Sequence, residues 1–424
     1  MKNESSFEGT SGGSNLLGLE RAGNAPGRDV SDFDRWLVRT VFKVAGNPEL
    51  AIRLWNGEEF TGTGGVRGTV EIRNRKTLWK LITNADLHFG DAYSAGAVEV
   101  EGDMVEILEA IYRGTRRTMP PGSTTRRVSE WWNRPRRRNS RRGSLKNIHH
   151  HYNLGNPFYE LWLDPQMVYT CAYYPHPDAT LEQAQTAKLD HVCKKLQLRA
   201  GQRVVEAGCG WGALAIHMAQ HYGVEVQAYN ISHQQVVFAR ERAQALGVND
   251  RVTFVEDDYR TIADEFDAFV SVGMLEHVGV EHFRGLGNVA RRAIKPGGRG
   301  LIHSIGRNSP AANNAWIEKR IFPGSRPPSI SEMSQIFEPY ELSVLDLENL
   351  RLHYGRTCAA WLANFERVSD RVREMYDDAF VRAWRLYLAG SVAAFSTGSL
   401  QLFQVVFAHL DDNTVPMTRE HLYK

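Results

Sequence analysis

Residues 203–223, RVVEAGCGWGALAIHMAQHYG, decide the fold. The apolar run from Arg203 to Ala207 reads as a buried strand. Glycines then recur at Gly208, Gly210 and Gly212. Beyond them Leu214, Met218 and Tyr222 fall four apart, as on one helix face, and Gly223 suits the helix end. A strand, a glycine turn and a helix begin a parallel α/β unit. Glycines let the chain turn sharply and let a ligand approach the backbone. The G-x-G-x-G spacing is tighter than the G-x-G-x-x-G of dinucleotide sites. Glu206 would repel a pyrophosphate but suits the ammonium of an amino acid. A ligand with an amino-acid end and a nucleoside end is S-adenosylmethionine. The alternative is a glycine turn with no ligand.

The following segments extend this reading. Gly208, Cys209, Gly210, Trp211 and Gly212 would line the cofactor loop. The next strand ends at Asn230, where many nucleoside sites place an acid for the ribose hydroxyls. Ser232 and Gln235 have the spacing of a capping box, and Gln235 could instead touch ligand. Val236, Ala239, Ala243 and Leu246 supply a buried stripe. Asp258 could accept from an adenine amino group and Tyr259 could pack on the ring; an acidic loop pair is also compatible with simple solvation.

The 424 residues include 42% hydrophobic and 24% charged residues, which excludes a wholly disordered chain. The 51 basic side chains nearly cancel the 49 acidic ones. Cys171, Cys193, Cys209 and Cys358 are too scattered for a disulfide scaffold or a Cys-based zinc site, and no metal is expected. No apolar run reaches the ~18 residues of a membrane span. The first residues lack the apolar core of a secretory signal. A cytoplasmic chain is expected.

Four regions are expected. Residues 1–30 read as a disordered tail. Residues 31–114 read as a small α+β domain, with strands in ELAIRLWNG, GTVEIRN and AVEVEG and a helix, MVEILEAIYRG, ending at Gly114. Residues 115–147 form an Arg-rich linker; between Arg113 and Lys146 twelve basic residues face one acid, Glu130. This run could be solvated, lie on an anionic membrane surface or bind nucleic acid. Residues 148–424 read as one α/β domain with helical additions and a closing strand, LQLFQVVF.

The segments HYNLGNPFYELWLDPQMVYTCAYY, VSVGMLEHVG, LIHSIG, IFPG and HYGRTCAAW accompany the glycine loop. Together they resemble the cyclopropane-fatty-acyl-phospholipid synthase and mycolic-acid cyclopropane synthase family. The resemblance implies a Rossmann-like class I methyltransferase domain, S-adenosylmethionine as cofactor and a bound bicarbonate. It implies that Tyr169 and Thr170 contact the cofactor. It gathers Cys171, Glu276, His303, Ile305 and Tyr354 around the anion. Ser391 stands where many relatives carry a Cys sometimes assigned as the active residue. Serine is a far weaker nucleophile, which puts a covalent thiol mechanism in doubt here.

The chemistry fits those residues. An alkene is a poor nucleophile, so the donor methyl and the double bond must be aligned and water excluded. Methyl transfer leaves a cation that must lose a proton. A lone carboxylate in a dry pocket would be pushed towards its neutral form. A small anion held by His303, Tyr354 and backbone N–H groups answers the problem, with Glu276 orienting His303 or sharing a proton. Singly, each residue also has a structural explanation: Cys171 as a small buried hydrophobe, His303 as a core histidine, Glu276 as a helix cap, Tyr354 as a packed ring. The implied reaction is cyclopropanation of unsaturated acyl chains of membrane phospholipids, at the inner membrane face and possible in a homodimer. A methylene- or methyl-branched product is the alternative. Methylation of a small molecule or nucleic acid is a rival class, and a non-catalytic cofactor-binding protein is another. Nucleic acid is not the expected partner.

Overall fold

Residues 29–118 and 154–423 are described by the computed structural model. The expected tail, apart from its last two residues, and most of the Arg-rich linker lie outside the described residues. Near the N-terminus, alternating apolar residues build a four-stranded sheet. Its strands are β1 (Ala51–Leu54), β2 (Glu59–Thr61), β3 (Gly68–Ile72) and β4 (Val98–Gly102), in the order β2-β1-β3-β4. Ser31 starts the Asp32–Val44 helix with a capping box to Asp34, satisfying end N–H groups. Gly114 does not end its helix, which runs from Met104 to Thr118. A Cβ on Gly114 would lie 2.1 Å from the Ala45 carbonyl oxygen. The glycine therefore permits a close crossing with the first helix rather than a stop.

The second sheet has seven strands: β5 (Arg203–Ala207), β6 (Glu225–Asn230), β7 (Val252–Glu256), β8 (Phe266–Val272), β9 (Ile294–Gly306), β10 (Leu342–Asn349) and β11 (Gln401–His409). Their order is β10-β11-β9-β8-β5-β6-β7. Strands β5 to β9 pair in parallel, and β11 runs antiparallel between β9 and β10. The chain reverses its direction of build between β5 and β8. Open α/β sheets bind ligands at that switch point.

One sheet face packs on helices Leu181–Leu196, Ala213–Tyr222 and His233–Ala245 through residues such as Val192, Met218 and Val236. The other packs on Phe283–Ala293 and Ile330–Phe337 through Phe283, Leu286 and Ile336. Leu246 departs from its expected stripe: it is 45% exposed, just past the end of its helix.

A third cluster joins the two sheets. Phe158, Tyr159, Trp162, Trp361 and Trp384 are nearly fully buried in it. Burying a large apolar side chain contributes about 1.5–3 kcal/mol, so this cluster anchors the helices over the sheet edge. The Asp378–Ser396 helix also carries the N-terminal domain. Arg382 on it donates to the Tyr93 and Val98 carbonyls at 2.6 and 2.9 Å and pairs with Glu99. Arg320 grips Asp91 at 2.9 and 3.0 Å.

Candidate active site

The glycine loop leaves the C-terminal end of β5. Gly208, Gly210 and Gly212 have φ of 86°, 52° and 81°, values that favour glycine. A side chain on Gly212 would strike Phe254 and Ala239, and one on Gly208 would press on Met274. A Cβ on Gly210 would meet nothing within 4 Å. Gly210 is thus the point where a ligand can reach the backbone.

The loop is tied down from β6. The Gly208 and Cys209 N–H groups both donate to the Tyr229 carbonyl at 3.0 Å. Asn230 Nδ2 donates to the Gly210 carbonyl at 3.0 Å and to Gln235 Oε1 at 2.8 Å. This corrects the expected capping box: Ser232 is the N-cap but its side chain makes no cap bond. Gln235 is spent on Asn230, whose own donors hold the loop. Asn230 Oδ1 accepts from the Ser232 N–H and has a second lone pair.

Glu206 is 2% exposed and its Oε2 has no partner among the described residues. Burial pushes its carboxyl up to about 8, with Lys188 opposing. Lys188 was not foreseen. It is 2% exposed, donates to Thr170 Oγ1 at 2.9 Å, and burial pulls it down to about 8. Its signal lay in the helix spacing, since Leu181, Ala184, Gln185, Lys188 and Val192 share one buried face. A buried carboxyl whose Oε2 lacks a partner fits an ammonium, whose charge would draw it into the ionised form, as the amino-acid end of S-adenosylmethionine would supply.

Other expected cofactor residues are placed less simply. Tyr169 bonds the Tyr387 hydroxyl at 2.8 Å. Trp211 sends Nε1 to Asn156 at 2.8 Å and packs on Tyr159, so its side chain anchors the Asn156–Glu160 helix. Asp258 caps a short turn, binding the Arg260 N–H at 3.0 Å and its guanidinium at 3.1 Å. Tyr259 lies beneath Arg260, with its hydroxyl buried and unpartnered among the described residues.

The acid–base residues come from four distant segments. Glu276 lies on the short Leu275–Val278 helix after β8. Its Oε1 accepts from the Ile305 N–H at 2.5 Å, while Oε2 is buried without a partner among the described residues. Burial pushes Glu276 up to about 7. A protonated Glu276 is a donor. His303 is on β9, 1% exposed, with Nδ1 3.0 Å from Gln404 Nε2 and Nε2 unpartnered. Burial, then Lys188, Lys195 and His191, hold its pKa well below the ordinary value. One of the two roles expected of Glu276 is corrected: it engages the Ile305 backbone rather than orienting His303, whose ring is bound by Gln404 instead. Gln404 was legible as one of two polar residues, with Gln401, inside the apolar run LQLFQVVF.

Tyr354 stacks on Phe395 at 4.5 Å. Burial raises its phenol, and Cys358, Tyr387, Cys171 and Glu276 lie within electrostatic reach of it. Cys171 is fully buried, and burial drives its thiol well up. Its Sγ faces the Ala172 and Leu350 carbonyls at 3.2 and 3.9 Å. It is a packed thiol, not a thiolate. Ser391 donates to the Tyr387 carbonyl at 2.8 Å within its own helix. That bond uses its proton and corrects its place among the catalytic candidates.

The family model for mycolic acid cyclopropane synthetase matches residues 139–405. A domain of unknown function matches residues 37–121. The probable fatty acid methyltransferase of Pseudomonas putida is 34% identical, over 88% of this chain and 96% of its own. The cyclopropane-fatty-acyl-phospholipid synthase of Escherichia coli strain K12 is 40% identical, over 63% of this chain and 69% of its own. The structure of cyclopropane synthase MmaA2 from Mycobacterium tuberculosis has a TM-score of 0.60 at 25% identity, covering 62% of this chain and 98% of that one. The fold is that of class I methyltransferases.

Proposed function

The chain belongs to the mycolic acid cyclopropane synthetase family, and we propose that it cyclopropanates the cis double bond of unsaturated acyl chains in membrane phospholipids, with bicarbonate as the base. The coarser activity is established by that membership: it is an S-adenosylmethionine-dependent methyltransferase acting on fatty acids. The phospholipid substrate draws support from the name of the Escherichia coli relative. Among the described residues no helix is long and apolar enough to cross a membrane. Contact with the inner membrane face from the cytoplasm belongs to the proposal on the charge of the Arg113–Lys146 segment, at ~1 kcal/mol per basic residue near acidic lipid, with Arg113 and Arg116 already engaged by Glu109 and the Thr397 carbonyl. A homodimer belongs to the same proposal.

S-adenosylmethionine would supply an activated methyl group, and bicarbonate would accept the proton that the product must lose. Gly210 and its neighbours leave the backbone open to the cofactor. Glu206 offers a carboxylate to its ammonium, and Thr170, braced by Lys188, borders the same end. The aromatic cluster around Tyr159, Trp162 and Trp361 keeps water from the pocket. His303 and a protonated Glu276 each offer a hydrogen to a small anion. Tyr354 offers a third.

The observation that carries this reading is the pair of orphaned atoms, Glu276 Oε2 and His303 Nε2. Leaving one such group unpaired costs about 1–3 kcal/mol, so a ligand that pairs either is favoured; the bond from the Ile305 N–H to Glu276 Oε1 holds Glu276 beside the strand that carries His303 two residues earlier. A methyl- or methylene-branched product is the second reading, favoured by the fatty acid methyltransferase relative that spans most of the chain. Expression in a host lacking such enzymes, followed by lipid mass spectrometry, separates them. A gain of one CH2 with loss of the double bond and a cyclopropane fragmentation pattern supports the proposal. A saturated or methylene-branched chain favours the second reading, and unchanged phospholipids contradict both.

A further inference from the structure

A row of polar side chains crosses the seven-stranded sheet. Glu348 of β10 lies opposite Gln404 of β11, and Gln404 lies opposite His303 of β9. Directly opposed residues in antiparallel strands point to the same face. A register shift between Val344 and Asp346 sets this alignment. Without it, Glu348 would turn to the other face.

The inner part of the row is buried, with Gln404 0% and His303 1% exposed, while Glu348 at its outer end is half-buried. A buried amide in an apolar strand costs stability unless it is bonded. Among the described residues, the side chain of Gln404 makes one bond, from Nε2 to His303 Nδ1 at 3.0 Å. An amide nitrogen donates and does not accept. A ring nitrogen that accepts carries no proton, so the single proton of the neutral ring sits on Nε2. That atom is buried and unpartnered.

We propose that Gln404 is a positioning residue, fixing His303 as the Nε2–H tautomer and so making Nε2 a donor to the reacting pocket. The proposal rests on the reading of His303 as part of the anion site. The surroundings of the ring keep the second proton off: burial first, then Lys188, Lys195 and His191, with Glu348 opposing. Glu348 is in turn held by Lys195 at 2.6 Å and His191 at 2.8 Å.

The test is nitrogen NMR on histidine-labelled wild-type protein, with His303 assigned by the signals lost in His303→Ala. An unprotonated Nδ1 and a protonated Nε2 are expected. Gln404→Leu removes the donor and keeps an apolar side chain of similar length. It should give a mixture of tautomers and a kcat lower by ~10–100-fold, the usual effect of losing an orienting partner. The KM for lipid and the affinity for S-adenosylhomocysteine should stay near wild type. A protonated Nδ1 in the wild type, or wild-type kcat in Gln404→Leu, overturns the proposal. If Gln404→Leu does not fold, the wild-type spectrum alone decides. Full turnover by His303→Ala would instead remove His303 from the reaction, and the spectrum would still decide what Gln404 does to the ring.

Discussion

The cofactor half and the acid–base half of the catalytic domain treat polar groups differently. Around β5 and β6 nearly every polar group is paired: Asn230, Gln235, Tyr229 and the loop N–H groups satisfy one another. Among the described residues Glu206 Oε2, His217 Nε2 and the Tyr259 hydroxyl are the exceptions. Around β8, β9 and β11, Glu276 Oε2, His303 Nε2 and Gln404 Oε1 are buried without partners among the described residues. The first half is a finished scaffold with one socket. The second is incomplete until a ligand arrives. Unpaired buried polar groups are uncommon, and although others are spread among the tryptophans and arginines, Glu276 and His303 are the proton-handling ones near the ends of adjacent parallel strands, where open α/β sheets bind ligands.

The sharpest way to break that contrast is to remove an orphan. Glu276→Gln or His303→Ala should lower methyl transfer by ~10²–10⁴-fold, the range for loss of a proton-handling group. S-adenosylhomocysteine affinity, measured by calorimetry, should stay close to wild type. Near-normal turnover in both variants would dissolve the second half of the comparison.

Glu206→Gln probes the socket. It should weaken S-adenosylhomocysteine by ~10–100-fold, the worth of a hydrogen bond to a charged group. Turnover at saturating cofactor should change far less. An unaltered dissociation constant would show that Glu206 does not meet the ligand.

The pH dependence of stability sharpens the same picture. Burial raises Glu206 from 4.5 to about 8 and Glu276 from 4.5 to about 7. The folded chain therefore holds protons that the unfolded chain releases. The stability this gives is whole below about 4.5 and is lost as pH rises through the folded values. His217, His277 and His303, held low by burial, give the opposite slope near pH 6.5, and Lys188, pulled down to about 8, does so as that pH is approached. The comparison of variants isolates Glu206: between about pH 6.5 and 8 the ligand-free wild type should lose melting temperature relative to Glu206→Gln. A wild-type melting temperature that rises relative to the variant across this window would contradict the assignment.

The smallest effect is expected at Ser391. Its hydroxyl serves only its own helix. Ser391→Ala should change turnover by less than about twofold, as substitutions away from special features do.

What could be read in the sequence follows the same division. The glycine loop, its helix and the Gly223 end lie in one stretch, and local spacing was sufficient to place them. The four acid–base residues are separated by more than a hundred positions in places, so family resemblance rather than spacing brought them together. Local rules also misjudged particular residues. Ser232 and Gln235 have capping-box spacing, but Asn230 competes for the glutamine. Gly114 looks like a stop, but the neighbouring helix needs its missing side chain. Gln404 and Lys188 stand out locally as polar residues on buried faces, but their partners follow only from strand register and helix packing.

The most direct test of the account is methyl transfer in buffer stripped of carbon dioxide, with bicarbonate then restored. Activity should fall on stripping and recover on addition in the wild type, whereas His303→Ala should show no recovery. Wild-type turnover that is indifferent to bicarbonate would contradict the claim that the orphaned pair holds that anion.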